Sequence, residues 1–128
     1  MPSSVAQRFM DALQEIEKSG EVDALVSLFS EDASLRRMAQ DDGYRGKEEA
    51  TAFWCEYLSV FGEVRTTFNN TIENGGHAVL EWTSEGSFPT GKGLRYEGVS
   101  ILELAGDKVT GFRTYYDSAA FVEDGAKD

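Results

Sequence analysis

Residues 64–85 read VRTTFNNTIENGGHAVLEWTSE, and this stretch decides the fold. Its first part, Val64 to Ile72, is rich in Thr and Phe, residues that suit a pleated, half-buried surface. Asn74-Gly75-Gly76 supplies a hairpin turn, because these residues tolerate positive φ. Beyond the turn, Ala78, Leu80 and Trp82 alternate with Val79, Glu81, Thr83 and Glu85, giving a strand with one largely apolar face and one polar face. Turns at Pro89-Thr90-Gly91-Lys92-Gly93 and at Gly106-Asp107 separate two further strands, Leu94 to Leu104 and Val109 to Tyr116. Together these predict a four-stranded antiparallel meander. In the strand from Leu94, Val99 and Ile101 share one face while Leu94, Tyr96, Leu102 and Leu104 share the other. An antiparallel sheet with apolar groups on both faces needs cover on both, and a homodimer through the outer sheet face is the simplest source.

Toward the N-terminus the period becomes helical. Ala50, Phe53, Trp54, Tyr57, Leu58 and Phe61 predict a helix from Lys47 to Phe61, stopped by Gly62. Val5, Phe9, Ala12, Leu13 and Ile16 predict another from Ser4 to Lys18, opened by a Ser4/Gln7 capping box and closed by Gly20. A short helix is expected from Glu21 to Phe29, a brief strand from Ala33 to Arg37, and a loop through residues 38–46. Helices first and strands afterwards make an α+β architecture, with three N-terminal helices packed on one face of the sheet.

The 128 residues suit one domain, taken here as 1–122, followed by a polar tail at 123–128. A composition of 41% hydrophobic and 27% charged residues is that of a folding chain. Twelve Lys and Arg against twenty-three Asp and Glu leave a charge of -11, which opposes nucleic acid and anionic membranes as partners. No apolar run is long enough to span a bilayer and Met1 to Phe9 lacks a signal-peptide core, so a cytoplasmic location is expected. The single cysteine, Cys55, excludes an internal disulfide and a multi-thiolate zinc site; no metal or cofactor is expected.

Several segments carry a resemblance. They are Leu25 to Ala33, the Tyr44 to Glu49 entry into the third helix, Pro89-Thr90-Gly91-Lys92, and Asp107-Lys108-Val109 leading to Tyr115-Tyr116-Asp117. In this combination the chain resembles the SnoaL-like branch of the nuclear transport factor 2-like superfamily. That resemblance implies a cone-shaped barrel, a cystatin-like α+β roll in which a curved, mostly antiparallel sheet and the helices enclose a deep apolar pocket. Members include ketosteroid isomerase, scytalone dehydratase, polyketide cyclases and limonene epoxide hydrolase. The spacing is most similar to limonene epoxide hydrolase, whose catalytic Asp, Arg, Asp, Tyr and Asn fall here on Thr114, Glu81, Thr83, Leu35 and Arg37. None is retained, and a threonine hydroxyl does not relay protons near neutral pH. The ketosteroid isomerase base falls near Arg37 and its oxyanion acid near Ser100, while the polyketide cyclase Asp falls near Thr114. The resemblance therefore carries the fold without a ready-made chemistry, because function lives in the pocket residues.

By the register the resemblance implies, Glu81, Thr83 and Glu85 project into the pocket beside Ser100, Phe112, Thr114 and Tyr116, with Leu35, Phe53 and Tyr57 in its wall and Arg37 entering from the helical side. Glu81 then has two readings. It is either a general base oriented by Arg37 and bonded to Thr83 or Tyr116, or one half of an ion pair that shapes a polar floor. Burial disfavours a carboxylate while an adjacent guanidinium favours it, and that opposition makes such a pair a poor base. Other candidates are bland. His77 follows a turn and is expected at the surface, Cys55 beside the apolar face of the third helix is expected to pack, and Gly91-Lys92-Gly93 is a hairpin and not a phosphate loop. Asn69-Asn70-Thr71 is a glycosylation sequon without a secretory route, and Asp41-Asp42 belongs to a solvated loop. The aromatic content of 12% favours a small, mostly apolar ligand. Three functions follow: a binder of such a metabolite, a cofactor-independent isomerase, cyclase or hydrolase using Glu81, or a dimeric interaction module with a filled pocket.

Overall fold

The period-two alternation after Gly62 becomes four long strands. In the computed structural model, which describes residues 4–38 and 43–121, they are β3 (Glu63–Asn74), β4 (His77–Ser87), β5 (Gly93–Ala105) and β6 (Lys108–Tyr116). They are preceded by α1 (Val5–Ser19), α2 (Asp23–Val26), β1 (Phe29–Arg37), β2 (Tyr44–Arg45) and α3 (Gly46–Ser59). A 3-10 turn, Ser118–Phe121, follows β6. The expected tail at 123–128 and the Asp41-Asp42 pair lie outside the described residues.

The meander is larger than expected. The sheet has six strands in the order β2-β1-β6-β5-β4-β3. β1 runs parallel to β6, and every other pairing is antiparallel. The expected second helix shrinks to four residues and Phe29 opens β1 instead, because the segment can bury Phe29, Ala33 and Leu35 in the core only when extended. β2 arises inside the expected loop, pairing Tyr44 with Leu35.

α1 keeps its predicted face, burying Val5, Phe9, Leu13 and Ile16 at about 1.5–3 kcal/mol for each large side chain. Its ends differ from each other. Gly20 closes it in the left-handed region at φ 77°, its N–H donating to Ile16 O at 2.8 Å. At the start only half of the capping box forms: Gln7 N–H donates to Ser4 Oγ at 3.0 Å, but the Gln7 side chain turns to Asp11. Gly62 does not cap α3, which ends at Ser59; its N–H donates instead to Ser87 O at 2.7 Å. The Gly75-Gly76 turn forms where predicted, without a positive φ at either glycine.

β4 buries Ala78, Leu80, Trp82 and Ser84. Glu81 and Glu85 are exposed, and Val79 and Thr83 are half-buried. The concave, helix-facing side of the sheet thus carries the even-numbered residues of β4 and β5, together with Phe112, Thr114 and Tyr116 of β6.

Candidate functional site

Helices α1 and α3 and the concave face of β3 to β6 enclose a cavity of about 110 Å3. Two aromatic groups make most of its wall. Phe53 and Trp54 of α3 pack edge-to-face at 4.9 Å between ring centres, with Phe112 of β6 at 5.2 Å from Trp54. Opposite them, Tyr96 lies 5.3 Å from Trp82 and 4.7 Å from Phe121. Gly98 makes room for the indole: a Cβ there would sit 2.5 Å from Trp82 Cζ2 and 2.6 Å from Tyr115 O. Val60 also borders the cavity and is 39% exposed, which marks its open side.

Three polar groups interrupt this wall. The first is built around Glu17, which continues the α1 stripe of Phe9 and Leu13 by one further turn. Tyr57 Oη donates to Glu17 Oε2 at 2.5 Å, Thr66 Oγ1 donates to the same oxygen at 2.6 Å, and Thr66 N–H donates to Oε1 at 2.8 Å. Gln14 Nε2 donates to Thr66 O at 3.0 Å. β3 is an edge strand, and α1 thereby satisfies the main-chain groups that Thr66 turns away from the sheet. Thr66 Oγ1 also lies 2.7 Å from Ser84 Oγ. Burial, with Tyr96 and Glu17 nearby, holds the Tyr57 phenol well above its ordinary range. Burial also raises Tyr96, partly offset by the neighbouring Ser84 hydroxyl. Both remain protonated donors across the neutral range.

The second group is Trp82 Nε1 donating to Ser100 Oγ at 2.9 Å, with Ser100 2.9 Å from Thr114 Oγ1 and Thr114 reaching Val99 O at 3.5 Å. The third is Arg37. It stands on β1, beside Thr114 on β6, and its side chain lies against α3, on the helical side. Its guanidinium lies 4.0 Å from the centre of the Phe53 ring and donates to Phe53 O at 3.3 Å. Its acidic neighbour is Glu56 at 3.9 Å, and Glu56 accepts a hydrogen bond from Tyr44 that raises the Tyr44 phenol.

The expected site is therefore partly assembled and partly dispersed. Arg37, Phe53, Tyr57, Ser100, Phe112, Thr114 and Tyr116 border the cavity. Glu81 and Thr83 do not. They face the outer side, where Asn70 Nδ2 donates to Glu81 Oε1 at 3.2 Å and Asn69 Nδ2 donates to Thr83 Oγ1 at 2.9 Å. The physical reason is the strand period: burying Trp82 sends both of its neighbours outward, and a slip of one residue reverses the whole strand. Glu85 is likewise exposed, paired with Arg95 at 3.6 Å. No Arg37–Glu81 pair forms among the described contacts. Leu35 is fully buried in the core against β6 and does not border the cavity. His77 is exposed as expected, whereas Cys55 faces solvent instead of packing. No group of three metal-binding side chains occurs among the described residues. Glu17, Thr66, Trp82, Ser84 and Tyr96 were not anticipated in the site. The legible signals for them were the alternation of Ala78, Leu80, Trp82 and Ser84 and a carboxylate prolonging an apolar helical stripe.

Residues 6–112 match the model of the SnoaL-like domain family. The chain belongs to that family. No curated protein matches this SnoaL-like chain in sequence. Its fold is that of the nuclear transport factor 2-like proteins, matching one from Anabaena variabilis with a TM-score of 0.79 at 22% identity over 91% of this chain and 89% of that one. A Catenulispora acidiphila protein with a ketosteroid isomerase-like fold, in complex with trimethylamine, matches with a TM-score of 0.79 at 16% identity over 95% and 92%. A Mycobacterium tuberculosis protein in complex with estradiol-17beta-hemisuccinate matches with a TM-score of 0.77 at 15% identity over 92% and 98%. At these identities the likeness establishes the cone-shaped architecture alone.

Proposed function

We propose that this SnoaL-like domain binds a small, mostly apolar molecule in the cavity between α1, α3 and the concave sheet. The observation that carries the reading is the cavity wall: aromatic rings on two sides, a few placed hydroxyls and a guanidinium, and no Asp, Glu or His among the described lining residues. Such a wall holds and orients a ligand. General-base catalysis by Glu81 finds no support, since that side chain lies on the opposite face of the sheet. A module with a filled interior is disfavoured by the cavity itself, whose 110 Å3 approaches the roughly 150 Å3 of an engineered apolar cavity that takes up benzene. The complexes of two structural relatives with small molecules add support.

A thermal-shift screen of single-ring and fused-ring apolar compounds tests this. A ligand at about 100 times its Kd is expected to stabilise the fold by about 2.7 kcal/mol. Thr114→Leu, which places bulk in the cavity, is expected to abolish that shift. Equal shifts in both proteins would locate binding elsewhere and defeat the proposal.

We also propose that the outer sheet face pairs with a second copy. Ile72, Val79 and Ile101 form one cross-strand row there, with Val99 opposite Tyr115 in the next. Ile72 is 60% exposed and Tyr115 43%. A two-fold contact can bury this stripe against itself. Sedimentation is expected to show a dimer that Ile101→Glu converts to a monomer; a monomeric parent protein would refute the pairing.

A further inference from the structure

The hydrogen-bond directions around Glu17 are fixed by one chemical fact: a carboxylate accepts and cannot donate. The proton in the 2.5 Å contact with Tyr57 therefore belongs to Tyr57, and the proton in the 2.6 Å contact with Thr66 belongs to Thr66. Thr66, its only hydroxyl proton committed to Glu17, must accept from Ser84 across their 2.7 Å contact. The protons of Tyr57, Thr66 and Ser84 thus all point toward Glu17. These three residues border the cavity, and what their hydroxyls have left to offer a ligand is oxygen lone pairs.

Resting on the binding role proposed above, we infer that the Glu17 end of the cavity selects an apolar ligand bearing a hydroxyl donor over one of equal size bearing only a carbonyl. A hydroxyl donates into the waiting lone pair of Tyr57. A carbonyl brings a further acceptor against it and leaves buried oxygens unpaired. Tyr57 does not readily turn its proton to a ketone, because that exchanges a charge-assisted bond for a neutral one and strips Glu17 of a donor. Glu17 itself does not border the cavity. It acts through Tyr57 and Thr66 and is a positioning residue.

Three probes of similar size test the inference by NMR titration, read at the Trp82 indole N–H: cyclohexanol, cyclohexanone and toluene. The intact protein is expected to bind cyclohexanol about tenfold more tightly than cyclohexanone, the discrimination typical of one buried hydrogen bond. Glu17→Gln brings an N–H₂ into the chain and frees a hydroxyl proton of Tyr57 or Thr66 for a ketone, so the preference should fall to within about twofold. Tyr57→Phe, which removes the accepting oxygen, is expected to erode it in the same direction. Equal affinities for alcohol and ketone in the intact protein, or a tenfold preference surviving in both variants, would overturn the inference. Toluene binding without alcohol preference defeats the donor rule alone and leaves the binding role standing. No response at Trp82 to any of the three probes defeats both.

Discussion

The cavity carries two chains of hydroxyls that use the same residue types and end differently. One runs from Ser84 through Thr66 to Glu17, joined there by Tyr57; the other runs from Trp82 through Ser100 and Thr114 to Val99 O. The first ends on a carboxylate supplied by a helix, so it is charge-assisted and ties α1 to α3 and to the edge strand β3. The second ends on a main-chain carbonyl of the sheet that carries it, at 3.5 Å, and ties β4, β5 and β6 to one another. A hydrogen bond to an ionised partner is roughly twice as strong as a neutral one, and removing the ion strands several donors at once. The Glu17 chain should therefore behave as a structural keystone of the cavity, and the Ser100 chain as a local adjustment of its lining.

Substitution separates the two. Glu17→Ala leaves the Tyr57 hydroxyl and both Thr66 donors without their acceptor and is expected to cost about 3 kcal/mol in urea unfolding. A cost below about 1 kcal/mol would dissolve the distinction. The two ends also differ in their response to alkali, since the first chain contains Tyr57 and has Tyr96 nearby, both raised in the fold. A phenol held above its unfolded pKa contributes stability that is complete below that value. Stability should stay level through neutral pH and decline above about pH 10 as the unfolded phenols ionise, by up to about 1.4 kcal/mol per pH unit for each tyrosine. Tyr57→Phe and Tyr96→Phe should each flatten that decline. Thr114→Val, in the second chain, is expected to cost about 1 kcal/mol. Glu81→Gln, outside both, should change stability by less than about 0.5 kcal/mol and leave ligand affinity unaltered; a tenfold loss of affinity would return Glu81 to the site.

The course of β4 explains how much of the site was legible. Ala78, Leu80 and Trp82 against Val79, Glu81 and Thr83 stated the inward face openly, and the structure follows that alternation. The register carried over from the resemblance placed Glu81 and Thr83 inward, against the local pattern. Phe68 and Asn70 of β3 sit opposite Trp82 and Glu81, so Asn69 is an extra residue at a bulge, and family spacing carried across such irregularities loses a residue easily. In β6 the same approach succeeded for Phe112, Thr114 and Tyr116, where the local alternation agreed with it. Local periodicity is enforced by burial at every second residue, whereas spacing shared with a distant family is enforced by nothing in this chain.

The amino-acid order alone determined the long helices α1 and α3 and the four strands β3 to β6, the apolar stripe of α1 and the alternating faces of β4 and β5, because each depends on residues near one another along the chain. Tertiary structure decided that Glu17 meets Thr66 forty-nine residues away, that Arg37 sits beside Thr114, and that β1 joins the sheet in parallel. Those meetings depend on how separate elements pack, and no short-range pattern encodes which hydroxyl will find a carboxylate across the cavity.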